Sequence, residues 1–374
     1  MNKFFAIQHH TGRTTATING FAPGGQKDLH PFIVPVFIPL SGCPHRCAFC
    51  NQTAITGVKP YRLSRSAIEQ TIRTFLPFLH DRERPVQIAF YGGNFLGLPE
   101  RQVRDLLETA AAYVARGDAT SIRFSTRPDT ITQSTLATLR DFPVAAIELG
   151  LQSMDDRVLA LTRRGHDTKC TVNAAHMVKA AGYALGLQMM TGLPGDTARG
   201  AEQTAIKMIS LEPDFVRIYP TLVLEHSPLA EQFRTGAFLP TTLEETIALV
   251  SRLFLIFTGS HVRVIRMGLQ ADDTLSSEGT VLAGPYHSAF GERVYSRVFY
   301  HLAEAALVRH PDRHHLLGIR VHPRHLSRMI GAGRENLHRL KAQFHIETLT
   351  IKPDTGITPH HLEVDNLPAP IASR

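Results

Sequence analysis

Three of the four cysteines fall within eight residues, as C-x3-C-x2-C, in Ser41-Gly42-Cys43-Pro44-His45-Arg46-Cys47-Ala48-Phe49-Cys50-Asn51. Closely spaced thiolates hold iron–sulfur clusters, and four of them close a 4Fe–4S cube. Three, Cys43, Cys47 and Cys50, leave one iron with open positions where a small molecule can be activated. A structural zinc site normally takes a fourth protein ligand at similar spacing. His45 is the candidate, but it sits between the cysteines, where a short loop has trouble turning both inward. A disulfide needs pairs and an oxidising compartment. The pattern favours a cluster, with zinc as the alternative.

These residues need a scaffold, and the chain is long enough to supply one. At 374 residues and 43% apolar content it can bury a substantial core. No apolar run approaches the ~18 residues of a membrane span. Met1-Asn2-Lys3-Phe4-Phe5-Ala6-Ile7 turns polar too soon for a secretory signal. Four cysteines, three of them clustered, suit a reducing, cytoplasmic setting. A net charge of +7 and a pI near 9.4 suit an anionic partner such as RNA, although small-molecule enzymes can be equally basic.

Residues 1–30 read as an irregular lead-in. Apolar, strand-like runs then begin at Phe32, Val86, Ser121, Val144, Tyr183 and Phe215, separated by stretches of helical spacing at 64–80, 100–116, 131–141, 155–163, 168–182 and 199–211. Alternation of this kind implies parallel strands joined by right-handed crossovers. Six units predict a partial (β/α)6 barrel, whose chemistry lies at the C-terminal strand ends. The cysteine loop, Gly92-Gly93-Asn94, Ser125-Thr126-Arg127-Pro128-Asp129, Gly150-Leu151-Gln152-Ser153, Gly192-Leu193-Pro194-Gly195 and Pro220-Thr221 all fall there.

With Phe49 between its last two cysteines, the loop resembles that of the radical S-adenosylmethionine (SAM) superfamily. The later motifs Ser125–Asp129, Glu148–Ser153, Arg164-Gly165-His166 and Arg217–Thr221 are similar to the radical-SAM half of the Elongator catalytic subunit. Gly-x-Gln and Gly-Leu-Pro are more distantly similar to oxygen-independent coproporphyrinogen dehydrogenase. The resemblance covers roughly residues 32–260. It implies a 4Fe–4S cluster on Cys43, Cys47 and Cys50, with SAM chelating the open iron. An electron from a reductase, flavodoxin or ferredoxin then cleaves the sulfonium to methionine and a 5′-deoxyadenosyl radical, which abstracts a substrate hydrogen. It also implies that Gly92, Gly93, Asn94, Ser125, Gln152, Arg164 and Gln188 bind SAM. Arg164 would pair the methionyl carboxylate through its planar fork, and Tyr219-Pro220 would lie near the adenine. Cys170 reads as a lone buried thiol, and His9, His10, His45 and His166 read as surface residues.

Residues 261–312, with Val262–Gln270 as a further strand and the loop-rich stretch 271–295, read as a segment covering the barrel (31–260). From 313 to 374 strand, helix, glycine turn, helix and strand follow in a small α+β unit. That order resembles the core of a KH RNA-binding domain, whose G-x-x-G loop clamps a nucleic-acid backbone. Here the turn is Gly331-Ala332-Gly333-Arg334, with the second glycine one residue early, and Arg328, Arg334, Arg339 and Lys341 keep the region basic. Together these features point to a tRNA base as substrate, with no acetyltransferase half expected after the barrel. A tetrapyrrole-like metabolite, or an RNA-binding sensor of SAM or redox state, are the alternatives.

Overall fold

The computed structural model describes residues 2–10, 12–21, 31–38, 42–51, 63–81, 83–269, 275, 279–310 and 316–367. Residues 22–30 of the expected lead-in and most of 271–278 lie outside the described residues. The chain divides into two compact units: residues 27–243 with 263–288, and residues 1–26 with 244–262 and 289–374.

The second of these units begins with the chain. Residues 5–10 and 13–18 are not irregular: β1 (Phe5–His10) and β2 (Arg13–Ile18) pair as antiparallel strands. Thr14, Ala16 and Ile18 of β2 are buried at alternate positions, a period of two. Two of the six β2 residues are apolar and three are threonine, so no apolar run marked the strand.

The barrel unit holds β3 (Phe32–Ile38), β4 (Val86–Gly92), β5 (Ser121–Thr126), β6 (Val144–Gln152), β7 (Ala184–Thr191), β8 (Phe215–Pro220) and β10 (Arg263–Met267). They pair in the order β10-β8-β7-β6-β5-β4-β3, all parallel. The six expected strands are present, and the strand expected near 262–270 joins them as a seventh. A short antiparallel pair, β9 (Val223–Leu224) and β11 (Val281–Ala283), forms a separate two-stranded sheet.

One set of alternate strand positions is apolar and fully buried: Ile88 and Phe90, Ile122 and Phe124, Leu185 and Leu187, Val216 and Ile218. The other set carries Tyr91, Arg123, Glu148 and Arg217, which gather around the Glu148 carboxylate, and Gln188, which meets Gln152. The connecting helices start where capping chemistry permits. Ser64, Thr132, Asp155, Asp167, Thr197 and Ser227 each accept a hydrogen bond from a backbone N–H of the following first turn.

In the other unit a five-stranded sheet has the order β1-β2-β14-β12-β13, where β12 is Leu316–Val321, β13 Thr348–Pro353 and β14 His361–Asn366. β12 and β13 are parallel, and β14 pairs antiparallel to β12 and to β2. Helices Leu243–Gly259, Phe290–Arg309, Leu326–Ile330 and Glu335–Phe344 complete it.

Candidate active site

The cysteine loop is fixed from three sides within the barrel unit. Asn94, 1% exposed, donates from Nδ2 to Gly42 O at 2.7 Å. Its Oδ1 accepts from Thr126 Oγ1, Arg127 N and Thr130 Oγ1 at 2.7–3.1 Å. Its side chain is therefore engaged in tying the loop to the end of β5, so any contact of Asn94 with a ligand falls to its backbone. Gly42, at φ +80°, lies so close to this turn that a Cβ would stand 2.3 Å from Asn94 O. On a second side Ala48 N donates to Thr162 O, and a Cβ at Gly165 would collide with the His45 ring. On the third, Leu229 N donates to Ala48 O, and Phe49 packs against Val223, Leu229, Ala230 and Phe238.

None of the three cysteines is in a disulfide; Cys43 is exposed, Cys50 half-buried and Cys47 buried. Among the described residues no three His, Cys, Asp or Glu side chains converge as ligands of a single ion. A cube attaches each thiolate to a different iron corner, so its ligands stand wider apart than those of one zinc ion.

Two guanidiniums approach Cys47 Sγ: Arg164 Nη1 at 3.4 Å and Arg127 Nη1 at 4.0 Å. Arg164 also donates from Nη2 to Gly150 O, while its buried Nε has no hydrogen-bond partner. Arg127 forks onto Asp129 at 2.8 and 2.9 Å and donates to Arg164 O at 2.6 Å. Burial pulls the Asp129 carboxyl up, but the Arg127 hydrogen bond and charge outweigh it and hold it below its ordinary range.

Beside Arg164 lies a β-bulge. Gly150 pairs with Gln188 and Gln152 with Met189, so Leu151 is an extra residue in β6. Gln152 takes a left-handed φ of +71°, and bulges of this kind re-aim a side chain at a strand end. Here the bulge brings Gln152 to Gln188. Their amides bond reciprocally at 3.1 and 2.7 Å, and Gln188 Nε2 also donates to Met189 O at 3.0 Å. Gln188 has thus used both donors, while Gln152 keeps one N–H. A Cβ at Gly150 would stand 3.0 Å from Gln152, 3.3 Å from Arg164 and 3.4 Å from Gln188. Gly92, at φ +98°, closes β4 where a Cβ would meet Ile38 O at 2.9 Å, and half-buried Gly93 follows it. Ser125 is half-buried at the end of β5, and its hydroxyl makes no hydrogen bond among the described residues.

Below this lies a charged floor. Glu148, 3% exposed, meets Arg123 Nη2 at 2.6 Å and Arg217 Nε at 2.7 Å. Arg217 also donates to Tyr91 OH at 2.7 Å and Tyr219 OH at 3.1 Å, and Tyr91 donates to Glu148 at 3.2 Å. Burial first, then Glu148, pushes the Tyr91 phenol well up, which keeps it a neutral donor. Two guanidiniums share one carboxylate.

His166, expected at the surface, has both ring nitrogens buried without hydrogen-bond partners. Burial, then Arg164 and Arg127, lower it to about 4. His45 and His9 are exposed as expected. Cys170 is half-buried, its N–H bonded to Asp167. Sequence reasoning passed over Arg127, Asp129, Arg123, Glu148 and Arg217 as site members, although four of the five stand in motifs it had singled out.

The chain matches the radical SAM superfamily over residues 37–207 and the radical SAM C-terminal domain over residues 213–299. It belongs to the radical SAM superfamily, and it is an enzyme of that type. It is 26% identical over 302 residues to the tRNA uridine(34) acetyltransferase of Methanocaldococcus infernus, covering 70% of this chain and 55% of that protein. It is 25% identical over 292 residues to Elongator complex protein 3 of Homo sapiens, covering 66% and 53%. The chain thus spans about half the length of these curated relatives. The structure of the archaeal Methanocaldococcus infernus Elp3 with an N-terminal deletion shares the fold, with a TM-score of 0.56 at 22% identity, covering 71% of this chain and 62% of that one. No described helix of this radical SAM chain is long and apolar enough to cross a membrane.

Proposed function

We propose that Cys43, Cys47 and Cys50 hold a 4Fe–4S cluster, and that SAM binds beside it along Gly92, Gly93, Asn94, Ser125, Gln152, Arg164 and Gln188. The observation that carries this reading is Gly150, over whose missing side chain the polar ends of Arg164, Gln152 and Gln188 close to form a cradle. Arg164 links that cradle to Cys47. Thiolate sulfur suits soft iron, and the unpartnered Arg164 Nε, the spare Gln152 N–H and the open Ser125 hydroxyl are donors and acceptors for a polar ligand. A bound and reduced cluster would supply the electron for reductive cleavage of the SAM sulfonium. The chain's own part is to orient. Asn94 and Gly165 hold the thiol loop, Arg164 offers its remaining N–H to the methionyl carboxylate, and the uncharged Tyr91 phenol sits on the lumen floor.

A tRNA base is the substrate class we infer, because one group of its relatives is named for tRNA uridine(34) acetylation and the chain is basic. The C-terminal unit supports the same reading through its strand–helix–turn–helix–strand order. In its turn Gly333 and Arg334 both adopt positive φ and are exposed. Arg328 does not add to a basic surface there, being forked onto Glu292 at 2.7 and 2.8 Å.

The test is anaerobic reconstitution with iron and sulfide, followed by dithionite and SAM, with 5′-deoxyadenosine quantified by chromatography. Wild type should form it, and a variant with Cys43, Cys47 and Cys50 all changed to Ala should not. Bulk tRNA should stimulate it, with an affinity that falls steeply with salt as counterions are released. Zinc in place of a cluster would sink the reading. An intact cluster that binds SAM but yields no deoxyadenosine would mark a sensor, and a full yield indifferent to tRNA would mark a small-metabolite enzyme.

A further inference from the structure

Arg127 is 2% exposed, and its guanidinium is committed on three sides. Nε and Nη2 grip Asp129, Nη2 reaches Arg164 O, and the contact recorded for Nη1 is the Cys47 sulfur at 4.0 Å. Arg164 Nη1 approaches the same sulfur at 3.4 Å. The most buried thiol of the loop therefore faces two cations, one from the segment after β5 and one from the segment after β6. Asp129 offsets one of these charges, leaving a net positive field at the sulfur. A cluster held by three thiolates gains one unit of negative charge on one-electron reduction. Cations and N–H groups directed at its sulfurs favour the reduced form and raise its potential.

We propose that Arg127, clamped by Asp129 onto Cys47, is a positioning residue that sets the reduction potential of the cluster. It rests on the cluster reading above, but assigns Arg127 no contact with SAM. Arg164 stands between cluster and SAM cradle, whereas Arg127 addresses the thiolate and the backbone of Arg164. Its role is electrostatic, so its effect has a sign that a packing role lacks.

The experiment is a redox titration of the reconstituted protein, without SAM, followed by electron paramagnetic resonance. Arg127→Gln should shift the midpoint to more negative values, because it removes the charge and the N–H directed at sulfur. Asp129→Asn should shift it the opposite way, because the offsetting carboxylate is gone while the bond to Arg164 O retains the guanidinium. Arg127→Lys, which keeps the charge but loses the fork, should fall between wild type and Arg127→Gln. Midpoints that do not move, or that move in the same direction in Arg127→Gln and Asp129→Asn, overturn the proposal when cluster content and spectrum match wild type. Should Arg127→Gln fail to load, Asp129→Asn decides alone: a positive shift supports the proposal, and no shift or a negative one overturns it. A wild type that takes up no cluster defeats the cluster reading itself, a result separate from unmoved potentials in loaded protein.

Discussion

Gly150 has no side chain, and three flexible side-chain ends have closed over the space, at 3.0–3.4 Å from where a Cβ would lie. Gly150→Ala should keep its fold, because those ends can give way, but it should displace the Gln152–Gln188 pair and Arg164. We expect SAM affinity to fall about tenfold, or ~1.4 kcal/mol, by isothermal titration calorimetry. At Glu148 the outcome differs, since Glu148→Gln leaves two buried guanidiniums facing a neutral amide. Breaking such a buried set costs about 3–5 kcal/mol, so the urea midpoint of the barrel should drop markedly while the far-ultraviolet spectrum in water stays that of a folded α/β protein. The cysteines were legible in the sequence because their chemistry is a matter of spacing along the chain. Arg127 and Glu148 were not legible as site residues. Their partners lie up to 80 residues away for Arg127 and 69 for Glu148, and no local pattern announces such convergence.

At the scale of elements, the turn after β4 is what gives the thiol loop its shape. Asn94→Ala would remove the donor to Gly42 and leave the groups that its Oδ1 serves without an acceptor, at about 1–3 kcal/mol for each buried group left unsatisfied. We expect alkylation of Cys47 in apo-protein, followed by mass spectrometry, to accelerate at least about tenfold; an unchanged rate would show that Asn94 does not hold the loop. Asn94→Asp, which keeps the acceptor and loses only the donor to Gly42, should be milder. The barrel strands were readable because buried parallel strands are apolar on the face beneath the helices. The hairpin β1–β2 escaped because threonine fills much of β2. The bulge in β6 escaped for another reason: an extra Leu151 leaves the apolar pattern intact, and only pairing with β7 shows which residue is surplus.

At the scale of the molecule, the two units should answer acid differently. In the C-terminal unit burial, reinforced by neighbouring cations, lowers His325 to about 4 and His360 to about 3. Glu292 opposes this at His325, while Arg328, Arg324, His322 and His361 reinforce it at one or both rings. Unfolded, both would titrate near the ordinary histidine value of 6.5. As pH falls below that value the unfolded chain binds protons that the fold refuses, and stability drains away down to about 4 for His325 and about 3 for His360. In the barrel His166 acts in the same direction, but Asp196, raised by burial to about 6, acts in the other: its fold gains as pH falls from there toward 3.8. Hydrogen exchange between pH 7 and 5, corrected for its intrinsic pH dependence, should therefore show residues 290–309 and 316–367 losing protection before β5 to β8. The sheet of that unit also joins β2 to β14, with Arg13 reaching Asp365 across 352 positions of sequence. On the ribosome the hairpin emerges long before its partner strand, while the seven strands of the barrel follow one another into place. The hairpin must wait with an open edge until β14 has been translated, which makes it a segment that a nascent-chain chaperone would have reason to hold.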